Sequence, residues 1–227
     1  MELWQTNLAN TPSSTLKGKS DFRPLRADPN LCFSNTQTSS RGYSGKGTAN
    51  YPNGDTYTGA NVILATGSYS RSLPGLEIGG RVITSDQALG LDFVPNKVLV
   101  LGGGVIGVEF ASIWKSFGAE VTIIEGLPHL VPNEDESLSK GLERAFRKRG
   151  IDFKLGVRFA GVEQHENGVV VSLEDGTKLE GELLLVAVGR GPNTAGLGYE
   201  DQGVAMDRGY VLTNERLQTN IPGVYAA

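Results

Sequence analysis

The stretch from residue 98 to residue 125 constrains this chain more than any other. Val98, Leu99, Val100 and Leu101 form an unbroken apolar run, the pattern of a strand covered on both sheet faces. Gly102, Gly104 and Gly107 follow in a G-x-G-x-x-G spacing, with Gly103, Val105 and Ile106 between them and Val108 just after. A helix is predicted over 105–117, and Gly118 stands where a helix C-terminal glycine belongs. Val121, Thr122, Ile123 and Ile124 make a second strand, which ends at Glu125. A lone G-x-G-x-x-G says little. One that starts directly after a strand and opens a helix has the context the motif needs.

Each glycine has its own task. Gly102 permits the tight strand-to-helix turn, Gly104 removes a side chain so that backbone can approach a pyrophosphate, and Gly107 lets helix and strand pack closely. The helix start offers N–H groups and the positive end of its dipole to phosphates. An acid about 20 residues further on would accept hydrogen bonds from ribose hydroxyls. Glu125 fills that place, and its charge would repel a 2′-phosphate. The next residues, Gly126, Leu127, Pro128 and His129, bring no Lys or Arg to receive one. NAD is therefore favoured over NADP. Glu109, on the first turns of the helix, reads from the residues alone as an exposed acid near a helix N-terminus.

The rest of the chain narrows the function. A net charge of -4 argues against a nucleic-acid partner, which would call for a basic face. No stretch approaches the roughly 20 apolar residues of a membrane helix. The first residues lack the basic and apolar regions of a signal peptide, so a cytoplasmic location is expected. The single cysteine, Cys32, can form neither an internal disulfide nor a multi-thiolate metal site. His129 and His165 show no ligand spacing and read as surface residues, so no metal is expected.

Residues 1–44 are rich in Ser, Thr, Asn and Pro without a sustained period, and are expected to be loosely ordered. Asn53-Gly54 signals a turn. From Asn61 the pattern becomes regular. Val62 to Ala65 reads as a buried strand that ends at Thr66-Gly67, and Ser85 or Asp86 offers the cap of a short helix. Asp135 caps a helix in which Leu138, Leu142 and Phe146 would form the apolar stripe. That helix ends at Gly150, and Arg144, Arg147, Lys148 and Arg149 form its solvated basic end. Residues 159–165, 169–173 and 177–179 are joined by Asn167-Gly168 and Asp175-Gly176, which predicts a three-stranded antiparallel meander. Residues 183–188 return as a buried strand. The expected fold class is α/β: a Rossmann-like NAD-binding domain with a parallel sheet, plus the meander.

Several spaced motifs now carry a family resemblance. They are Ala65-Thr66-Gly67-Ser68, Leu73-Pro74-Gly75, the run from Gly102 to Phe110, Glu125, Asn133-Glu134-Asp135 and Gly189-Arg190-x-Pro192-Asn193. From about residue 45 to residue 227 the chain resembles the dihydrolipoyl dehydrogenases, flavin-dependent pyridine nucleotide-disulfide oxidoreductases. The resemblance implies an NAD domain inserted into an FAD domain. On that plan residues 45–94 are a partial FAD-domain segment and linker, 95–212 the NAD-binding domain, and 213–227 the start of the return to the FAD domain. It implies that Glu109 contacts the nicotinamide half of NAD, that the Phe159 backbone borders the adenine, and that Gly189 lies near the nicotinamide. Thr66, Gly67 and Ser68 would approach FAD as the remnant of its site.

The departures shape the functional expectation. The family carries a second G-x-G-x-x-G for FAD, and residues 1–44 contain none. It also carries two cysteines four residues apart, where this chain has only Cys32. A Gly-Asp pair beyond the Ala-Ala end, and a dimerisation domain with a catalytic His-Glu pair, have no counterpart here. Family members are homodimers within 2-oxo acid dehydrogenase complexes. The expectation is a fragment that retains the NAD half and is inactive alone, with no catalytic residue of its own to assign. The alternatives are a non-enzymatic NAD-binding or interaction module, or a related reductase with another disulfide substrate.

Overall fold

A computed structural model describes residues 59–227 with side chains, together with the backbone of four short strands before them. Those four are β1 (Leu31–Ser34), β2 (Gly42–Tyr43), β3 (Thr48–Asn50) and β4 (Thr56–Thr58). Most of the 1–44 segment, and the turn at Asn53-Gly54, lie outside the described residues. Strands at β1 and β2 were not expected from sequence. The chain divides into two compact units, residues 1–69 with 192–227, and residues 70–191.

In the first unit, β5 (Asn61–Leu64) runs parallel between β1 and the last strand, β18 (Val224–Ala226). Strands β2, β3 and β4 form an antiparallel sheet. Val62 and Leu64 pack with Leu197, Tyr199, Val204, Val224 and Ala226. Strands β6 (Ser68–Ser70) and β15 (Arg190–Pro192) lie where the chain passes between the two units. A small hairpin joins β16 (Met206–Asp207) to β17 (Tyr210–Val211).

The second unit begins with β7 (Val82–Ile83), helix α1 (Ser85–Ala88), β8 (Lys97–Leu101), α2 (Val105–Ser116) and β9 (Glu120–Glu125). Helix α3 (Glu136–Arg149) and β10 (Asp152–Leu155) follow. The meander is β11 (Phe159–His165), β12 (Gly168–Leu173) and β13 (Lys178–Gly181), and β14 (Leu183–Val186) closes the set. Strands β10-β9-β8-β14-β7 form a five-stranded sheet in which every pair is parallel.

Period-2 alternation divides the buried residues of this sheet. Val98, Val100, Val121, Ile123, Leu183 and Leu185 pack with Val108, Ala111 and Trp114 of α2 and Phe146 of α3. Leu99, Leu101, Ile124, Leu184 and Val186 pack with Val169, Val171 and Leu173 of the meander. Both faces are covered, which is why the strands read as continuous apolar runs. The meander approaches closely because Gly181 has no side chain: a Cβ there would lie 2.9 Å from Leu99 Cγ. The observed class is the α/β arrangement with parallel sheet and meander that the pattern predicts.

Two local readings change. The cap of α1 is Thr84, not Ser85 or Asp86. Its hydroxyl accepts the Asp86 N–H, and the Gln87 side chain accepts the Thr84 N–H at 2.8 Å, which completes a capping box. On α3, Leu138 is 61% exposed, and the buried face is Ser139, Glu143 and Phe146. At roughly 100° per residue, Leu138 lies about 80° around the helix from Phe146, whereas Ser139 lies about 20° from it. An i, i+4, i+8 set drifts off a narrow face, and only the packing shows which way.

Candidate functional site

The glycine loop leaves the carboxyl end of β8, beside the carboxyl end of β14. Strand order reverses between these neighbours, because the chain proceeds from β8 through β9 to β10 on one side and β14 lies on the other. Crevices at such reversals are where open parallel sheets take ligands. Gly102 has φ +110°, and a Cβ on it would fall on the Ala187 carbonyl oxygen just past β14. Its N–H donates to the Ile124 carbonyl at 2.8 Å. A Cβ on Gly107 would fall on the Gly102 carbonyl oxygen. Both glycines are demanded by backbone against backbone.

Gly104 differs. It is the N-cap of α2, no side chain caps that helix, and a Cβ at Gly104 would meet nothing within 4 Å. Its missing side chain therefore serves no packing inside the protein. The space it leaves opens onto the positive end of a 12-residue helix, where an anionic group is stabilised. Around it Val105 is exposed, Ile106 is partly covered, Val108 is buried, and Glu109 projects into solvent.

Glu125, half-buried at the end of β9, faces the same loop. One carboxylate oxygen accepts the Gly103 N–H at 2.6 Å and the other accepts the Leu127 N–H at 2.8 Å. An ionised carboxylate has about four acceptor sites, so each oxygen keeps capacity for a ligand hydroxyl. Sequence reasoning gave Glu125 a ligand role alone. The structure adds that it fastens the glycine loop.

The site also contains residues that sequence reasoning missed. The Gly103 carbonyl accepts the Val131 N–H at 2.7 Å, and Leu130 Cδ2 lies 2.8 Å from where a Gly103 Cβ would be. Val131 has φ +44°, a left-handed conformation that a β-branched residue resists. His129, read as a surface residue, is about one-third exposed. Its buried Nδ1 lies 3.5 Å from Glu143 Oε1 and its Nε2 lies 3.7 Å from Glu136. Glu143 itself is only 7% exposed. Its one sequence signal is an acid a single residue beyond Leu142 on the apolar side of α3. His165 is exposed, as expected.

Phe159 opens β11, two residues after Val157, whose N–H donates to the Glu125 carbonyl at 3.2 Å. The ladder slips between Phe159 and Gly161, a bulge that turns the strand there. Gly189 has φ +117° and lies two residues beyond Ala187. The fold thus brings Gly102 to Gly107, Glu125, Phe159 and Gly189 to the carboxyl edge of one sheet.

Thr66, Gly67 and Ser68 belong to the other unit. Thr66 is buried, Gly67 has φ +74°, and the Gly67 carbonyl accepts the Asn193 N–H at 3.0 Å. Thr66 and Gly67 line a cleft of about 260 Å³ with Tyr199 and Leu217. That is below the roughly 300 Å³ at which small-molecule sites begin, and too small for a whole flavin dinucleotide. Strand β5 leads into another strand, so the chain beyond this turn does not open a helix. The described residues at this turn line a shallow cleft and enclose no larger cavity. Among them no group of three or more His, Cys, Asp or Glu could hold a metal ion, and no helix is long and apolar enough to cross a membrane.

Comparison with known proteins matches this geometry. Residues 23–227 match the family described as pyridine nucleotide-disulphide oxidoreductase. The chain is 43% identical over 175 residues to a dihydrolipoamide dehydrogenase of Chaetomium thermophilum, covering 74% of this chain and 35% of that protein. It is 39% identical over 175 residues to the mitochondrial dihydrolipoyl dehydrogenase of Pisum sativum, with 74% and 35% covered. The chain thus spans about a third of the length of these relatives. Among solved structures, the HOCl-induced flavoprotein disulfide reductase RclA of Escherichia coli superposes with a TM-score of 0.73 at 30% identity, covering 83% of this chain and 44% of that one. LpdA of Mycobacterium tuberculosis gives 0.70 at 34% identity, with 82% and 43% covered. The chain belongs to the pyridine nucleotide-disulphide oxidoreductases, a family of flavoproteins that use FAD and NAD(H). Within it the chain is similar to the dihydrolipoyl dehydrogenases.

Proposed function

We propose that this chain is an NAD-binding part of a dihydrolipoyl dehydrogenase-like flavoenzyme, with residues 95–212 as the NAD domain. The observation that carries this reading is Gly104. Its side has no neighbour, at an uncapped helix start, beside a carboxylate that holds the same loop. The dinucleotide phosphates would lie against Gly102, Gly103, Gly104 and the first turn at Val105, Ile106, Gly107 and Val108. Glu125 would accept the adenosine ribose hydroxyls, the Phe159 backbone would border the adenine, and Glu109 and Gly189 would lie toward the nicotinamide. NAD, when bound, supplies the hydride-accepting ring. The residues of this chain bind and orient it.

On this reading Thr66, Gly67 and Ser68 are what the chain contributes to an FAD site, in residues 45–94. Residues 213–227 lead back toward that domain. A single cysteine cannot make the intramolecular disulfide that relays electrons, so the chain is proposed to bind NAD without turning over a dithiol by itself. The family's homodimer within a 2-oxo acid dehydrogenase complex is proposed for the whole enzyme only, since its dimerisation domain has no counterpart among these residues, and a cytoplasmic location is proposed for this chain. Isothermal titration calorimetry tests the central claim. NAD should bind and NADP should bind more weakly, and no heat at millimolar NAD refutes the reading. A flavin band in the visible spectrum of the purified chain would overturn the view that its FAD site is incomplete.

A further inference from the structure

We infer that Glu143, on helix α3, positions the phosphate loop from beneath, acting through Leu130 and Val131. This rests on the reading of the loop as an NAD site. Glu143 is a nearly buried carboxylate on the apolar face of α3, where an apolar side chain would pack at lower cost. Its Oε1 accepts the Leu130 N–H at 3.2 Å. His129 Nδ1 lies 3.5 Å and Arg147 Nη2 3.8 Å from its two oxygens. Leu130 is fully buried and presses on Gly103. The next residue, Val131, donates to the Gly103 carbonyl at 2.7 Å.

That last bond sets a direction. A trans peptide is planar, with its carbonyl and the following N–H pointing opposite ways. Fixing the Gly103 carbonyl toward Val131 therefore turns the Gly104 N–H to the opposite side of that peptide. Glu125 fixes the preceding peptide through the Gly103 N–H. The two acids hold successive peptides of the loop, Glu125 directly and Glu143 through one turn of chain. The turn is strained at Val131, and strain persists only where the surroundings over-determine it. Those surroundings are the bond to Glu143, the Glu134 N–H donating to the Val131 carbonyl at 3.0 Å, and the Ser139 hydroxyl at 3.4 Å from the same carbonyl.

The test uses the full chain with three variants of Glu143, read by NAD titration and by amide hydrogen exchange. Glu143→Gln keeps an acceptor of the same reach and should bind NAD within about twofold of the parent. Glu143→Leu removes the acceptor, and Glu143→Asn withdraws it while staying polar, in case the leucine variant does not fold. Both should bind NAD roughly tenfold more weakly, as for one lost hydrogen bond. In both, the Gly103 and Val131 amides should exchange faster while the Leu185 amide in β14 is unchanged, because the opening is local. Parental NAD affinity in the leucine and asparagine variants overturns the inference, as does faster exchange at Leu185 to the same degree. If the parent itself does not bind NAD, the reading of the site has failed, and the inference fails with it.

Discussion

Two strand ends in this molecule look alike and behave differently. Strand β8 runs into Gly102-Gly103-Gly104, and β5 runs into Ala65-Thr66-Gly67-Ser68. Both strands lie in parallel sheets and both turns contain a left-handed glycine. After β8 comes a 12-residue helix, whereas after β5 comes another strand. The first turn is fastened at the Gly102 N–H, the Gly103 N–H and the Gly103 carbonyl, and leaves Gly104 facing a helix start. The second is fastened through the Gly67 carbonyl and presents no helix dipole. A glycine in a strand-end turn is thus required by backbone packing or by conformation, or stands beside open space, and its surroundings tell which.

Four predictions test that distinction. The largest effect belongs to Gly107→Ala. Its Cβ would strike the Gly102 carbonyl, backbone that cannot yield, so urea unfolding should show a loss of about 3 kcal/mol or more. Parental stability would show that the loop has room the structure denies. Next is Glu125→Ala, which should weaken NAD by roughly 1–3 kcal/mol, because a charged acceptor is lost and the Gly103 N–H is left without its partner. An unchanged affinity would remove Glu125 from the site.

Two smaller effects separate the turns. Gly104→Ala should leave stability within about 0.5 kcal/mol, since its backbone is extended and its surroundings open, yet should weaken NAD about tenfold. Gly67→Ala should do the reverse. It should cost about 1–2 kcal/mol of stability for the left-handed backbone, and NAD affinity should stay unchanged. If Gly104→Ala destabilised the chain while binding NAD normally, the contrast between the two turns would collapse.

Acid sensitivity gives the smallest effect and involves neither turn. Glu182 accepts the Asn96 side-chain N–H at 2.7 Å and the Asn96 backbone N–H at 2.8 Å, which holds its carboxyl below the ordinary glutamate range. A lowered folded-state pKa means the folded chain holds its proton less tightly than the unfolded chain. The contribution is present above about pH 5 and fades as pH falls through the folded value. Glu182→Gln should therefore flatten the acid limb of the stability curve slightly while leaving neutral stability within about 1 kcal/mol. An acid limb identical to the parent's would show that the Asn96 contact contributes nothing.

Much of the site was legible because its signals are local. The apolar runs at Val98 and Val121, the glycine spacing, Asp135 as a cap and Asn167-Gly168 as a turn each depend on a few neighbouring residues. Backbone sterics and hydrogen bonding read such neighbours directly. The tight turn at Gly102 and the close packing at Gly107 were assigned from spacing, and the contacts a Cβ would make at each agree with them.

What the sequence could not supply depends on distance along the chain. Whether Leu138 or Ser139 faces inward is set by what α3 packs against, because an amphipathic stripe on a short helix tolerates a shift of one position. The Glu143 carboxylate meets Leu130 across 13 positions, and Glu125 meets Gly103 across 22. The left-handed Val131 contradicts its own local preference and is held by contacts from elsewhere. The sequence by itself determined the βαβ unit, its glycines and its terminal acid, since each is a matter of local geometry. Only the tertiary structure decided what holds the glycine loop in place. Those bonds join residues that become neighbours only after the parallel sheet has brought β8, β9 and β14 side by side.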